Sequence, residues 1–165
     1  MATSLLTPTD VRAGKYLVFH LGEEEFGIQV QKVREIMGVQ DITQVPQTPA
    51  HVKGVINLRG KVIPVVDLRL KFDMPAREYT QRTCIIVVQI SNPRGTMPMG
   101  IVVDGVVEVL NIAGADVEDT PSFGKEVEIA YVMGLAKLKG KVKILLDIDQ
   151  VMTARELSRL DLTAK

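Results

Sequence analysis

Disulfide chemistry is excluded from the start, because Cys84 is the only cysteine among 165 residues and an intramolecular bridge needs two. It sits in the apolar run from Cys84 to Val88, which reads as a buried thiol in a reducing compartment. Histidine is almost as scarce. His20 and His51 are far apart, with no Cys or His partner at metal-ligand spacing, so no zinc site and no other metal is expected. Charge of one sign is also missing. Twenty basic residues balance twenty acidic ones, which leaves no overall cationic field for a phosphate backbone and argues against nucleic acid. No apolar stretch approaches the ~20 residues of a membrane helix, and the segment MATSLLTPTDVRAG lacks a basic leader region. A cytoplasmic protein without direct membrane insertion is expected. The Ser elbow G-x-S-x-G is absent, and no Cys/His or Ser/His/Asp set can be assembled. Hydrophobic residues nevertheless make up 46% of the chain, ample for a folded core.

What is present is a repeat. GVINLRGKVIPVVDLR from Gly54 to Arg69 echoes GLAKLKGKVKILLDID from Gly134 to Asp149, and FGIQVQKVREI from Phe26 to Ile36 echoes MGIVVDGVVEV from Met99 to Val109. Two echoes in the same order imply one small unit, duplicated and fused, with a pseudo-two-fold and a groove between the halves. The glycine-containing segments do not form a P-loop. Five residues separate the glycines instead of four, and Val62 or Val142 stands where a metal-binding hydroxyl is needed.

Strands are predicted over Lys15 to Leu21 and Phe26 to Val30, around a solvated acidic tip of Gly22 and three glutamates. Val33, Ile36 and Met37 fall at i, i+3 and i+4, which predicts a helical turn. Thr48-Pro49 predicts a capped short helix ending at Gly54. Val55 to Leu58 and Val62 to Val66 flank Arg59-Gly60 as a hairpin, with positive φ expected at Gly60 and, in the second copy, at Gly140. Asp67 and Asp147 read as N-caps of short segments, Leu68 to Phe72 and Ile148 to Met152, and not as catalytic carboxylates. Asp147 and Asp149 alone are weak support for a cation. Thr83 to Ile90 is a further strand, turned back by a loop from Ser91 to Pro98. Asn111 to Glu128 reads as a polar connection, and Thr153 with Glu156 as the capping box of a C-terminal helix. Many short strands predict an all-β fold of two small barrels, with a terminal strand of one half completing the other.

Arg59 is a charge in a turn that needs only polarity. A solvated cation explains it, and so does a guanidinium aimed at a partner's carboxylate or carbonyls. Val33, Ile36, Val106 and Val109 are open to two readings in the same way, as core or as interface. Three function classes are consistent with these residues: a non-catalytic adaptor, a small-ligand or catalytic double barrel using the groove, and an oligomer pairing through strand edges.

The set LVFHLGEEEFGI (Leu17 to Ile28), KVREI (Lys32 to Ile36), Thr48-Pro49, KGVINLRGKVIPVVDLR (Lys53 to Arg69) and GIVVDGV (Gly100 to Val106) resembles the CheW family of chemotaxis coupling proteins. The resemblance implies two five-stranded SH3-like barrels related by a pseudo-two-fold, in one domain over 15–152. Its units would span 15–82 and 83–152, with 153–165 as a helical tail. It further implies an adaptor that is no enzyme and uses no cofactor. Its partners would be chemoreceptor cytoplasmic tips and the regulatory domain of the histidine kinase CheA, in membrane-associated arrays. Carried over by position, Val33, Glu35, Ile36, Gly54, Asn57, Arg59, Val106 and Val109 would contact receptor or kinase.

Overall fold

The computed structural model describes residues 12–92, 95–119 and 131–152. Eleven strands dominate them: β1 (Gly14–Leu21), β2 (Glu24–Gln29), β3 (Val33–Gly38), β4 (Val52–Leu58), β5 (Lys61–Asp67), β6 (Cys84–Asn92), β7 (Gly95–Val103), β8 (Gly105–Ile112), β9 (Val117–Glu118), β10 (Val132–Leu138) and β11 (Lys141–Leu146). One short helix, α1 (Leu68–Lys71), comes after β5, and single 3-10 turns lie at Val30–Lys32, Gly114–Asp116 and Ile148–Gln150. No helix among the described residues is long and apolar enough to cross a membrane.

The strands form two sheets, in the orders β8-β1-β2-β11-β10-β9 and β3-β6-β7-β5-β4. The repeat explains them. The echoes equate β2 with β7, β3 with β8, β4 with β10 and β5 with β11, which leaves β1 equivalent to β6. Substituting each strand by its equivalent turns β8-β1-β2-β11-β10 into β3-β6-β7-β5-β4. Even the parallel pairs correspond, β2 with β11 and β7 with β5. The two-residue β9 is the sixth strand of the first sheet, and its counterpart in the second is the single bridge between Thr43 and Val55. The sheets therefore do not follow the break near residue 82. The first takes β1 and β2 from one half of the chain and four strands, counting β9, from the other, and the second takes three and two, an exchange wider than a single terminal strand.

Burial obeys the same plan. Leu17, Phe19, Leu21, Phe26 and Ile28 of the first sheet pack with Ile86, Val88, Ile90, Met99, Ile101 and Val103 of the second in the largest core. The other face of β6, through Ile85 and Val87, meets Ile56, Ile63 and Val65 inside the second sheet, and Tyr16 of β1 meets Leu145, Ala136 and Ile112 inside the first. β1 and β6 are thus buried on both faces, which is why they read as unbroken apolar runs. Met37 on one edge strand shares a cluster with Ile56 on the other, so the second sheet curls until its edges meet.

Several local expectations change. Val33, Ile36 and Met37 lie in a strand, not a helical turn. The i, i+3 spacing comes from a bulge: Val33 pairs with Val88 and Ile36 with Ile86, with a register shift between Val33 and Glu35, and one inserted residue returns both side chains to the same face. Thr48-Pro49 starts no helix, since the Thr48 hydroxyl donates to the Val45 carbonyl (2.9 Å) and β4 begins at Val52. Ser91 to Pro98 is mostly ladder, with pairing continuing through Gln89 with Pro98 to Asn92 with Gly95. Part of Asn111 to Glu128 carries β9. Cys84 is only half buried, its thiol donating to the Arg82 carbonyl. The capping box at Thr153 and the tail 153–165 lie outside the described residues.

Candidate functional site

The hairpin between β4 and β5 turns through Arg59 and Gly60, both at positive φ (51° and 87°), the pattern of a tight two-residue turn whose twist suits the strands. Asn57 stabilises it, its side-chain oxygen accepting from the Gly60 amide (2.8 Å). Arg59, 71% exposed at its side chain, reaches from this turn across to β3. There its guanidinium donates through both terminal nitrogens to the two carboxylate oxygens of Glu35. The bond from Arg59 is the main reason the Glu35 carboxyl is held below its ordinary range, and Glu35 in turn raises the guanidinium. Gln40 adds a second link between the edges, donating to the Asn57 carbonyl (3.4 Å). Glu35, Asn57 and Arg59 are therefore brought together at one mouth of the second sheet's curl.

The apolar candidates divide by depth. Val33 and Val106 are half buried against the core between the sheets. Ile36 (44% exposed) and Val109 (55%) lie further out. Val106 pairs with Phe19 and Val109 with Leu17, both residues of that core, so Val33/Ile36 and Val106/Val109 flank two equivalent margins of it. Gly54 offers no side chain and is buried, at φ +141°; a Cβ there would sit 2.0 Å from the Thr43 carbonyl oxygen. Its place is architectural. Among the described residues, the faces that the sheets turn toward each other are filled by apolar side chains, and the exposed candidates Ile36 and Val109 lie at the margins.

The capping aspartates act on the backbone. Asp67 accepts from the Arg69 and Leu70 amides and from the Tyr79 hydroxyl (2.9 Å), and Asp147 accepts from the Asp149 amide (3.1 Å). Burial raises the Asp147 carboxyl. Gly140, at φ +77° behind Lys139 at φ +52°, repeats the turn of Gly60 and Arg59. No group of three or more His, Cys, Asp or Glu residues among the described residues could hold a metal ion.

A model of the CheW-like domain matches residues 15–156. The chain belongs to the CheW family. It is 38% identical over 151 residues to the chemotaxis protein CheW of Klebsiella aerogenes, covering 92% of this chain and 89% of that one. It is 35% identical over 140 residues to that of Rhizobium meliloti, covering 85% and 88%. The crystal structure of the scaffolding protein TtCheW from Thermoanaerobacter tengcongensis superposes with a TM-score of 0.77 at 33% identity, over 87% of this chain and 95% of that chain. The all-β, two-sheet architecture is that of the family.

Two ion pairs away from the Arg59 turn escaped the sequence. Arg69, almost fully buried, pairs with Asp104 (2.7 Å), whose carboxylate also accepts from the Gly22 amide (2.6 Å). This ties α1 to the β1–β2 turn and the β7–β8 turn. Glu25, assigned to a solvated tip, instead pairs with the buried Lys143 (2.5 Å). One signal was available: Lys143 stands where the first copy of the repeat has Ile63.

Proposed function

We propose that this CheW-family chain is a non-catalytic chemotaxis adaptor, working in the cytoplasm, that couples chemoreceptor signalling tips to the regulatory domain of CheA in membrane-associated arrays. The observation that carries the reading is the exposed Glu35–Arg59 pair, with Ile36, the next residue of β3, 44% exposed on that strand's other face. An arginine preset by a tight turn, on a strand pair that also leaves an apolar side chain uncovered, has the makings of an interface centre. Two equivalent margins on one rigid body supply a second contact surface at Val109. Modest affinity at each would then become strong bridging once both partners are tethered.

The test is binding of the intact chain to a receptor signalling-tip fragment and, separately, to the kinase regulatory domain. Arg59→Glu, Ile36→Glu and Val109→Glu change exposed side chains and should leave the melt unchanged. At least one of the two affinities should fall by about tenfold or more for each variant. Val33→Glu is a poorer probe, because Val33 contributes to the core. Full binding of both partners by all three folded variants, or no binding of either partner by the unaltered chain, overturns the proposal.

A further inference from the structure

The duplicated unit offers an internal comparison at the mouths of the two curled sheets. In the second sheet, Glu35 and Arg59 close the mouth as an ion pair. In the first, the equivalent residues are Glu108 and Lys139. They do not pair with each other; they line a pocket of about 390 Å³ together with Leu110, Leu138, Lys141 and Lys143. Leu110 and Leu138 pack on the small interior core and give the pocket an apolar floor. Lys143 at its base is 7% exposed at the side chain and is neutralised by Glu25. That leaves Lys139 and Lys141 against Glu108 in the pocket's lining, with Glu23 and Glu24 bordering Lys141 from the adjoining cleft.

We propose that this pocket binds a carboxylate carried on a short aliphatic chain. The leucines would cover the aliphatic part, while the lysine ammonium groups take the carboxylate at the rim. An apolar floor with a few convergent polar groups at its rim is a usual form of a small-ligand site. The carboxylate could come from a free small acid or from a glutamate side chain of a docking protein. This inference does not depend on the receptor and kinase reading, because the pocket lies at the other sheet's mouth from the Arg59 turn.

Amide NMR of the full chain tests it, with glutarate as one probe and a capped Leu-Glu-Leu peptide, against its Leu-Gln-Leu counterpart, as the other. Saturable shifts are expected at Leu110, Asn111 and Leu138 to Lys143 but not at Gly60 and Lys61. The exposed pair Lys139→Ala/Lys141→Ala should weaken binding about tenfold, and Lys61→Ala should not. A response to the Glu but not the Gln peptide supports a protein side chain as the occupant; a response to glutarate alone supports a free acid. No saturable shift with either probe, equal shifts at both hairpins, or unchanged binding by the double variant overturns the inference.

Discussion

Gly54→Ala should damage this fold far more than Gly134→Ala, although the repeat makes the two positions equivalent. At Gly54 the added Cβ would lie 2.0 Å from the Thr43 carbonyl oxygen and 2.7 Å from its carbon, and φ is +141°. Real Cβ contacts do not go below 3.0 Å, and the obstacle is backbone, so β4 must part from the 43–44 segment. Parting breaks two hydrogen bonds, Thr43 amide to Val55 carbonyl and Val55 amide to Thr43 carbonyl, each 2.9 Å. At ~0.5–1.5 kcal/mol net apiece, plus ~1–3 kcal/mol for alanine at that φ, the cost is ~2–6 kcal/mol. That is a large share of the ~5–15 kcal/mol by which a domain is stable. At Gly134 the nearest atoms, the Glu118 carbonyl oxygen and a Val117 methyl, are both 2.9 Å away, just inside the 3.0 Å limit, and φ lies outside the glycine-only range, so a small shift suffices and ~1–2 kcal/mol is expected. Urea unfolding of both variants measures the difference. Equal midpoints, or a Gly54→Ala midpoint unchanged from the parent, would refute the reasoning. The result also bears on function: binding lost in Gly54 variants should track the unfolded fraction and not a missing contact.

Lys143→Met should cost ~1–3 kcal/mol, less than a fully buried pair because the Glu25 side chain is 26% exposed. Hydrogen bonding to Lys143 holds the Glu25 carboxyl below its ordinary value, so its stabilisation is present above the unfolded-chain pKa and disappears as pH falls through the lowered folded value. The melting difference between parent and variant should therefore shrink from pH ~7 toward pH ~3, and a constant gap would contradict the assignment. Gly60→Val and Gly140→Val meet open space at the new Cβ, so any loss is backbone strain of ~1–3 kcal/mol; unchanged melts would remove it. Asp67→Ala removes the α1 cap and the partner of Tyr79 and should cost ~1–3 kcal/mol. Burial first, and Asp67 second, push the Tyr79 hydroxyl up, so one tyrosine should titrate closer to its ordinary range in the variant, as monitored by ultraviolet absorption.

Local geometry was legible in the sequence where one residue type answers one backbone demand. Asp67 and Asp147 cap the short segments after them, and Gly60 and Gly140 take the positive φ of their hairpins. The misreadings share a cause. The spacing of Val33 and Ile36 fits a helix and a bulged strand equally, and only the partner strand β6 decides between them. The pairing of Glu25 with Lys143 spans 118 residues and rests on the parallel ladder between β2 and β11. A repeat shows which strands are equivalent but not which are neighbours. For the proposed contact surface, residue type identified Arg59 as unusual, and the family resemblance pointed to its surroundings. The depth that separates Ile36 from Val33, and Gly54 from both, is a property of the packed sheets.

The reciprocal exchange of strands also sets a timetable. As the chain emerges from its N-terminus, the sheet built from β3 to β7 has all its strands once Val103 has appeared. The β1–β2 hairpin, although made first, must wait for β8 and then for β11, which ends at Leu146. Through that interval Leu17, Phe19 and Phe26 belong to a ribbon whose parallel edge has no partner, and two-stranded ribbons are marginal in water. Folding is thus governed by late, distant closures, which are slow. A stalled chain would present along β2 an edge that fits β11 of any other copy, so the most exposed moment of this protein's life precedes its last folding step.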